Sequence, residues 1–385
     1  MSLQIIDPTN FPAWDDLLLN TPGHSFFHSS AWARVLKESY GYTPMYFASI
    51  EKGHFSALVP IMEVNSFITG KRGVSLPFTD YCEPIIDKDQ DFADLFNILI
   101  EHGKKRGWKY IELRGGDKYL VPRPSSLVSV SQSSALTPVS SSLNPASSRS
   151  ALCALRSAPF PSEKYLGHTL DLTKGEKALY SGLRDSTRRN IKKAIKEGVA
   201  VKILNSPESV REFYRLNCMT RKQHGLPPQP YYFFKNIYEH IVSHNKGFVS
   251  LASYQDLNIA GTIFFYFGEN ALFKYGASNK KYQYLRANNF VTWEGIKWSS
   301  QNGYKRFCFG RTELENKGLQ QFKAGWGTEE RTIHYFKHDL TRGLFVSKNK
   351  NPERGAQNHF FNRLAQRMPI PVLNLAGSVL YRHIG

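Results

Sequence analysis

The sequence predicts an α/β fold (α+β where the pairing is mixed): twisted mixed sheets flanked by helices, built as two halves. Three observations carry that expectation. With 385 residues, two domains fit better than one core. Helix-like and strand-like periods alternate through both halves. Within residues 271–327 a strand, a helix and a strand fall inside roughly 40 residues and read as one βαβ-type unit, with polar residues at the strand ends where open α/β sheets place ligands.

Composition narrows the class. An apolar content of 41% supports real cores, and a net charge of +18 points to an anionic partner such as RNA, a phosphorylated substrate or a membrane surface. Cys82, Cys153, Cys218 and Cys308 are far apart with no C-x-x-C, which argues against a disulfide scaffold or a zinc site and suits a reducing cytoplasm. The first residues carry no basic and apolar leader pattern, and no run approaches the roughly 18 apolar residues of a membrane span. The expected location is cytoplasmic.

Residues 24–50 read as helix, then strand. His28-Ser29-Ser30 forms a cap region, Trp32, Val35 and Leu36 share a helical face, and Lys37 leaves it. Residues 55–64 predict a strand reaching Pro60 at an edge, followed by the loop Ser75-Leu76-Pro77-Phe78-Thr79-Asp80-Tyr81. Asp80 fits a general base, a substrate anchor, or an Asx-turn that holds the loop. Residues 92–106 predict an amphipathic helix stopped at Gly107, and 110–114 a strand. Residues 125–150 are dominated by Ser without a sustained period; they read as a disordered insert at about 122–160.

The second half opens with a strand at 166–172 and a helix at 177–197. On that helix Arg184, Arg188, Lys192 and Lys196 form a basic stripe flanked by Arg189 and Lys193. Like charges four apart cost a helix roughly 0.2–0.5 kcal/mol each, so either an anion offsets them or the face is simply solvated. A strand at 199–203 and a helix at 209–224 follow; Arg221 stands near the helix end, where it can meet the last carbonyls or a substrate. His240 and His244 are four apart, but no Glu follows His240, so they do not form the H-E-x-x-H zinc arrangement. Strands at 248–254, 259–266 and 271–275 lead into a basic, Tyr-rich loop. A helix at 289–301, stopped by Asn302-Gly303, precedes a strand at 306–309 broken by Gly310-Arg311. Arg286, Arg311 and Lys323 fall in or beside these loops and suggest an anion-facing site. After Leu340, seven Arg and Lys stand against one acid, Glu353, beside an apolar segment at 368–381. That tail is too short to span a membrane. It suits either peripheral contact with an anionic membrane face through residues 360–385 or docking on the first domain.

The second half carries a resemblance. Tyr275-Gly276-Ala277-Ser278, Asn288-Asn289, Phe307-Cys308-Phe309-Gly310-Arg311 and Phe322-Lys323-Ala324-Gly325-Trp326-Gly327 resemble the signature of the Fem-type peptidoglycan bridge aminoacyltransferases and the CelD-like acetyltransferases. Cys308 departs from it, standing where the family has Asp. Arg188-Arg189-Asn190-Ile191-Lys192-Lys193-Ala194 and the loop at 75–81 extend the likeness over most of the chain. The resemblance implies tandem GNAT-like domains, at 1–165 and 166–340, followed by a tail at 341–385. It implies that Lys37, Arg221, Tyr275, Arg286, Asn288, Arg311 and Lys323 bind substrate.

Forming an amide requires that the amine lose a proton, the carbonyl be polarised and the two be held in line. Candidate bases are Glu112, Asp117 and Asp80. The family ends the corresponding strand in Asp-Pro, where this chain has Leu113-Arg114-Gly115-Gly116-Asp117, so the carry-over is ambiguous. The implied acceptor is an anionic envelope precursor or a polysaccharide amino sugar. The implied co-substrate is acyl-CoA or aminoacyl-tRNA, with no tightly bound cofactor and no metal. The chain lacks an Arg/Gln-x-x-Gly-x-Gly/Ala loop opening a helix, which weakens the acyl-CoA alternative. A non-catalytic RNA- or membrane-binding protein on the same scaffold is the other reading, since Arg and Lys interleave with Tyr between Lys274 and Arg286. Peripheral inner-membrane location goes with the tail.

Overall fold

The computed structural model describes residues 3–89, 91–121, 159–347 and 362–384. The Ser-rich insert expected at 125–150 lies outside the described residues. In chain order the strands are β1 (Gln4–Ile6), β2 (Thr43–Pro44), β3 (Tyr46–Glu51), β4 (His54–Val59), β5 (Met62–Ser66), β6 (Gly70–Val74), β7 (Ile85–Ile86), β8 (Tyr110–Arg114), β9 (Glu163–Asp171), β10 (Ala200–Leu204), β11 (Gly247–Tyr254), β12 (Leu257–Phe267), β13 (Asn270–Ser278), β14 (Arg306–Glu313), β15 (Glu329–Asp339) and β16 (Leu344–Phe345). Twelve of them form one mixed sheet, in the order β10-β11-β12-β13-β14-β9-β15-β8-β6-β5-β2 with β16 on β15; β1-β3-β4-β7 form a small second sheet.

The chain uses one device twice. β6 and β8 pair in parallel at only Gly73–Ile111 and Val74–Glu112, joined through helix Asp91–Arg106. β13 and β14 pair in parallel over Asn270–Leu272 and Arg306–Cys308, joined through helix Ala287–Gln301. Beyond those few residues each parallel pair separates. A parallel connection needs a covering helix, and helix Ala287–Gln301 buries Val291, Trp293 and Ile296 to provide it. Trp293 and Ile296 join Phe264, Phe307 and Phe309 in a core on one face of the sheet. On the other face, helices Ser30–Tyr40, Pro207–Gln223 and Tyr231–Ile237 share a larger core that includes Trp14, Trp32, Phe213, Phe233 and Phe265.

Several expectations meet the structure with a shift. The strand expected at 55–64 is two strands in different sheets, β4 and β5, because Pro60 has no N–H to continue a ladder. The helix expected at 177–197 is Gly175–Ser181 and Asp185–Lys196; Leu183 turns into the core between them and Arg184 has extended backbone, ψ 143°. Arg184 therefore leaves the basic stripe. The strand expected to stop at Phe309 continues to Glu313 through a bulge at Gly310. The boundary drawn at 165 falls inside β9. Residues 336–345 also return to the first half's core, with Phe336, Leu340 and Phe345 packed against Phe92, Phe96 and Ile111.

Candidate functional site

The site grows from the loop after β6. Ser75 N–H donates to the Glu112 carbonyl at 2.7 Å and Cys82 N–H to the Arg114 carbonyl at 2.6 Å. The residues between these two ties are pushed out of the sheet, with Leu76 and Phe78 at φ 62° and 59°. Left-handed backbone costs a non-glycine residue roughly 1–2 kcal/mol, so neighbouring contacts must hold the loop. They do: Arg114 donates to the carbonyls of Leu76 at 3.2 Å and Thr79 at 3.4 Å. The Tyr335 hydroxyl donates to the Asp80 carbonyl at 2.6 Å.

The loop carries Asp80 to the gap between β13 and β14. Lys274 Nζ, on a side chain only 4% exposed, donates to Asp80 Oδ2 at 3.0 Å and to the Phe78 carbonyl at 2.7 Å. Its ammonium also lies over the rings of Phe27, Tyr275 and Trp32, at 4.8, 5.3 and 5.5 Å. Arg311 N–H approaches Asp80 Oδ1 at 3.4 Å. Gly310 permits this approach, because at φ 68° a Cβ there would stand 2.9 Å from Asp80 Oδ1. Burial alone would raise the Asp80 carboxyl, but Lys274, Arg311 and Lys323 outweigh it and hold Asp80 below the usual carboxylate range. Burial likewise lowers Lys274, against the pull of Asp80.

Lys323 lies beneath the bulge, donating to the carbonyls of Gly310 at 3.1 Å and Arg311 at 2.9 Å. Burial brings its ammonium down to about 8. The Arg311 guanidinium donates to the Tyr335 hydroxyl at 2.7 Å and stacks 4.3 Å from the Tyr165 ring. On the far side of Tyr275, Arg221 donates to the Tyr381 hydroxyl at 2.6 Å and to the Pro227 carbonyl at 3.3 Å. Phe78, 5.7 Å from the Tyr381 ring, links this end to the Asp80 loop.

The structure thus gathers Asp80, Tyr275, Arg311, Lys323 and Arg221 of the sequence-derived candidates, and leaves others outside. Glu112 pairs with Arg114 at 2.9 Å and is held below its ordinary range: burial would raise it, and Arg114 prevails. It braces the loop rather than standing as a free base. Asp117 meets His334 Nδ1 at 2.9 Å. It lines a groove of about 1170 Å³ together with Tyr81, Glu83, Cys308 and Arg331. Lys37 is engaged by Asp7 at 2.7 Å and Thr9 at 3.0 Å on the other side of its helix. Asn288 is exposed and donates to Ser278 Oγ at 3.2 Å, and Arg286 is exposed at the turn before helix Ala287–Gln301. His240 bonds Glu38 at 2.6 Å. Among the described residues, no cluster of His, Cys, Asp and Glu could hold a metal ion. Sequence reasoning misses Lys274, Arg114, Tyr335 and Tyr381. Only Lys274 leaves a signal, as a lysine inside the apolar run Ala271-Leu272-Phe273-Lys274-Tyr275.

The tail is a helix, Ile370–Ile384, docked across both halves. It buries Leu373 and Tyr381 and bonds through its backbone to Tyr42, Thr69 and Arg72. No helix of the described residues is long and apolar enough to cross a membrane.

Comparison with known proteins agrees with this architecture. Residues 181–324, which hold the β13–β14 unit, match the family "Acetyltransferase (GNAT) domain". A 76-residue stretch is 30% identical to a lipid II:glycine glycyltransferase of Staphylococcus haemolyticus (strain JCSC1435), covering 18% of each protein. Among solved structures, FemX superposes with a TM-score of 0.63 at 13% identity, covering 89% of this chain and 98% of that one. A tandem GNAT protein from the clavulanic acid biosynthesis pathway gives 0.53 at 8% identity, covering 88% and 98%. The L-PGS of Bacillus licheniformis gives 0.51 at 13%, covering 94% and 98%. At such identities the structural likeness is one of fold. Residues 181–324 thus carry a match to a GNAT acetyltransferase domain, and the chain as a whole shares the fold of FemX and of the tandem GNAT protein.

Proposed function

We propose that this chain is an N-acyltransferase forming an amide bond on an amine of an anionic cell-envelope acceptor. The acceptor class is a peptidoglycan precursor or a polysaccharide amino sugar, and the donor is aminoacyl-tRNA or acyl-CoA. The observation that carries this reading is the cluster of Asp80, Lys274, Arg311 and Lys323 where β13 and β14 separate. Asp80 stays ionised and attracts an incoming ammonium. Lys323, at about 8, is neutral in roughly one molecule in ten at pH 7, enough to accept a proton from the attacking amine. Lys274 and the Arg311 backbone N–H supply positive potential beside the place where carbonyl oxygen would gain charge. Arg221, at the end of an aromatic wall of Phe78, Tyr275 and Tyr381, suits a phosphate or carboxylate of the acceptor.

The donor end favours side-chain recognition. Lys281 N–H, Tyr282 N–H and Arg286 N–H are bonded within the turn, to Asn279 Oδ1, the Asn279 carbonyl and the Gln283 carbonyl. They are not free to cradle a pyrophosphate. Exposed Lys280, Lys281 and Arg286 stand beside exposed Arg189, Lys192, Lys193 and Lys196, since Ala194, Leu285 and Ala287 share one apolar cluster. A broad basic face of this kind fits a tRNA acceptor arm better than a single nucleotide.

The test supplies purified protein with acetyl-CoA or with charged tRNA, plus amine-bearing muropeptide precursors or amino sugars, and reads the product mass. Transfer should occur from one donor, with kcat/KM rising as pH rises through about 8. Lys323→Arg keeps a donor for the two carbonyls but cannot give up its proton, and should lower kcat by about a hundredfold. No transfer from either donor, or an unchanged pH profile in Lys323→Arg, would sink the reading.

A further inference from the structure

The docked C-terminal helix hides one face and shows another. Val372, Leu375, Val379, Leu380 and Ile384 are all exposed. Val372, Leu375 and Val379, spaced three and four apart, lie along one stripe of the helix, and Leu380 and Ile384 stand to the side of it, flanking buried Leu373. His383 lies in line with Val372 and Val379 and would continue that stripe, but it is covered by the ring of Phe67 at 4.5 Å. Phe67, 88% exposed, and Ile68, 56% exposed, form the tip of the β5–β6 hairpin.

Tip and helix are fixed to each other. Thr69 Oγ1 and the Arg72 guanidinium donate to the His383 carbonyl at 3.0 and 2.9 Å, and His383 Nδ1 meets Ser66 Oγ at 3.0 Å. The stripe and the tip therefore make one preformed apolar surface, of a kind that folded monomers rarely leave open. Charge identifies the occupant. Residues 362–384 contain no acid, and Arg363, Arg367 and Arg382 are exposed along them. An apolar helix face with only positive charge beside it lies well in the plane of an anionic lipid surface.

We propose that this surface is a peripheral docking site for an anionic phospholipid bilayer, with helix Ile370–Ile384 lying in the interface and Phe67 and Ile68 inserted as a wedge. The proposal rests on the outer face of the helix, the hairpin tip and the arginines beside them, and is independent of the acyl-transfer reading. Cosedimentation tests it, using phosphatidylcholine vesicles with or without about a third phosphatidylglycerol. The full chain should bind the anionic vesicles and release them at high salt. Leu375→Ser with Val379→Ser should weaken partitioning by on the order of tenfold or more, as should Phe67→Ser alone. Replacing Arg363, Arg367 and Arg382 by Gln should weaken it by on the order of a hundredfold. All these positions are exposed, so melting temperatures should stay close to wild type. Vesicle binding that none of the variants reduces would overturn the proposal. So would a wild-type dimer in solution that the Leu375/Val379 variant makes monomeric without any vesicle binding, since a second copy would then be the occupant.

Discussion

Lys274 is a charged amine in the middle of a strand, and Asp80 is what makes it tolerable. With the carboxylate gone the ammonium would be buried among Phe27, Trp32 and Tyr275 with the Phe78 carbonyl beside it and no negative charge at Asp80's position to offset it. Breaking such a pair from one side costs about 3–5 kcal/mol. Asp80→Asn should therefore lose that much in urea unfolding, while Asp80→Asn with Lys274→Met should recover most of it. The pH dependence has a definite sign. Because the folded carboxyl is held below its ordinary 3.8, its stabilising share is complete above that value and disappears as pH falls through the lower folded value. An Asp80→Asn variant with unchanged stability at pH 7 would refute the pairing. The sequence singles out Asp80, because its loop is distinctive, and passes over Lys274, because a strand's period does not reveal which loop will arrive opposite it. Lys37 fails for the converse reason. Helical spacing shows that it leaves the apolar face, and says nothing of Asp7 waiting thirty positions upstream.

At the scale of the element, the two parallel pairs that open after a few residues decide where chemistry can occur. The β13–β14 gap needs the bulge at Gly310, whose φ of 68° favours glycine and whose missing Cβ makes room for Asp80. Gly310→Ala should cost about 1–2 kcal/mol for the backbone alone and should displace Asp80 from Arg311 N–H. The expected result is a melting temperature lower by a few degrees together with a loss of activity larger than Gly276→Ala produces; equal effects would mean that the bulge has no special part. Elements of this kind are legible from the sequence where period and punctuation agree. The 110–114 strand is found where expected, and the 289–301 helix differs only at its start, Ala287. The break at Leu183-Arg184 is not legible, because the basic and apolar periods run through it undisturbed and only the tertiary burial of Leu183 interrupts them.

For the whole molecule, the tail and the shared strand matter most. Helix Ile370–Ile384 offers both things its composition left open, a docked inner face and an apolar outer one. Burial of two side chains such as Leu373 and Tyr381 is worth roughly 3–6 kcal/mol. Truncation after residue 361 should lower the melting temperature by several degrees and free Arg221 from Tyr381, which would appear as a changed acceptor KM. A truncated chain as stable as the full one would show that the docking is incidental.

β15 pairs with β9 from Glu329 to Tyr335 and with β8 from Tyr335 to Asp339. Tyr335 belongs to both ladders, and its hydroxyl ties down the Asp80 loop. Two lobes that share a strand cannot swing apart as a hinged enzyme does without rupturing a ladder in the middle of the sheet. The consequence is mechanical. Substrates must enter a frame of fixed width. A strain that loosens either lobe will be felt at once by the other, and the chain should exchange its core amides as a single block rather than lobe by lobe.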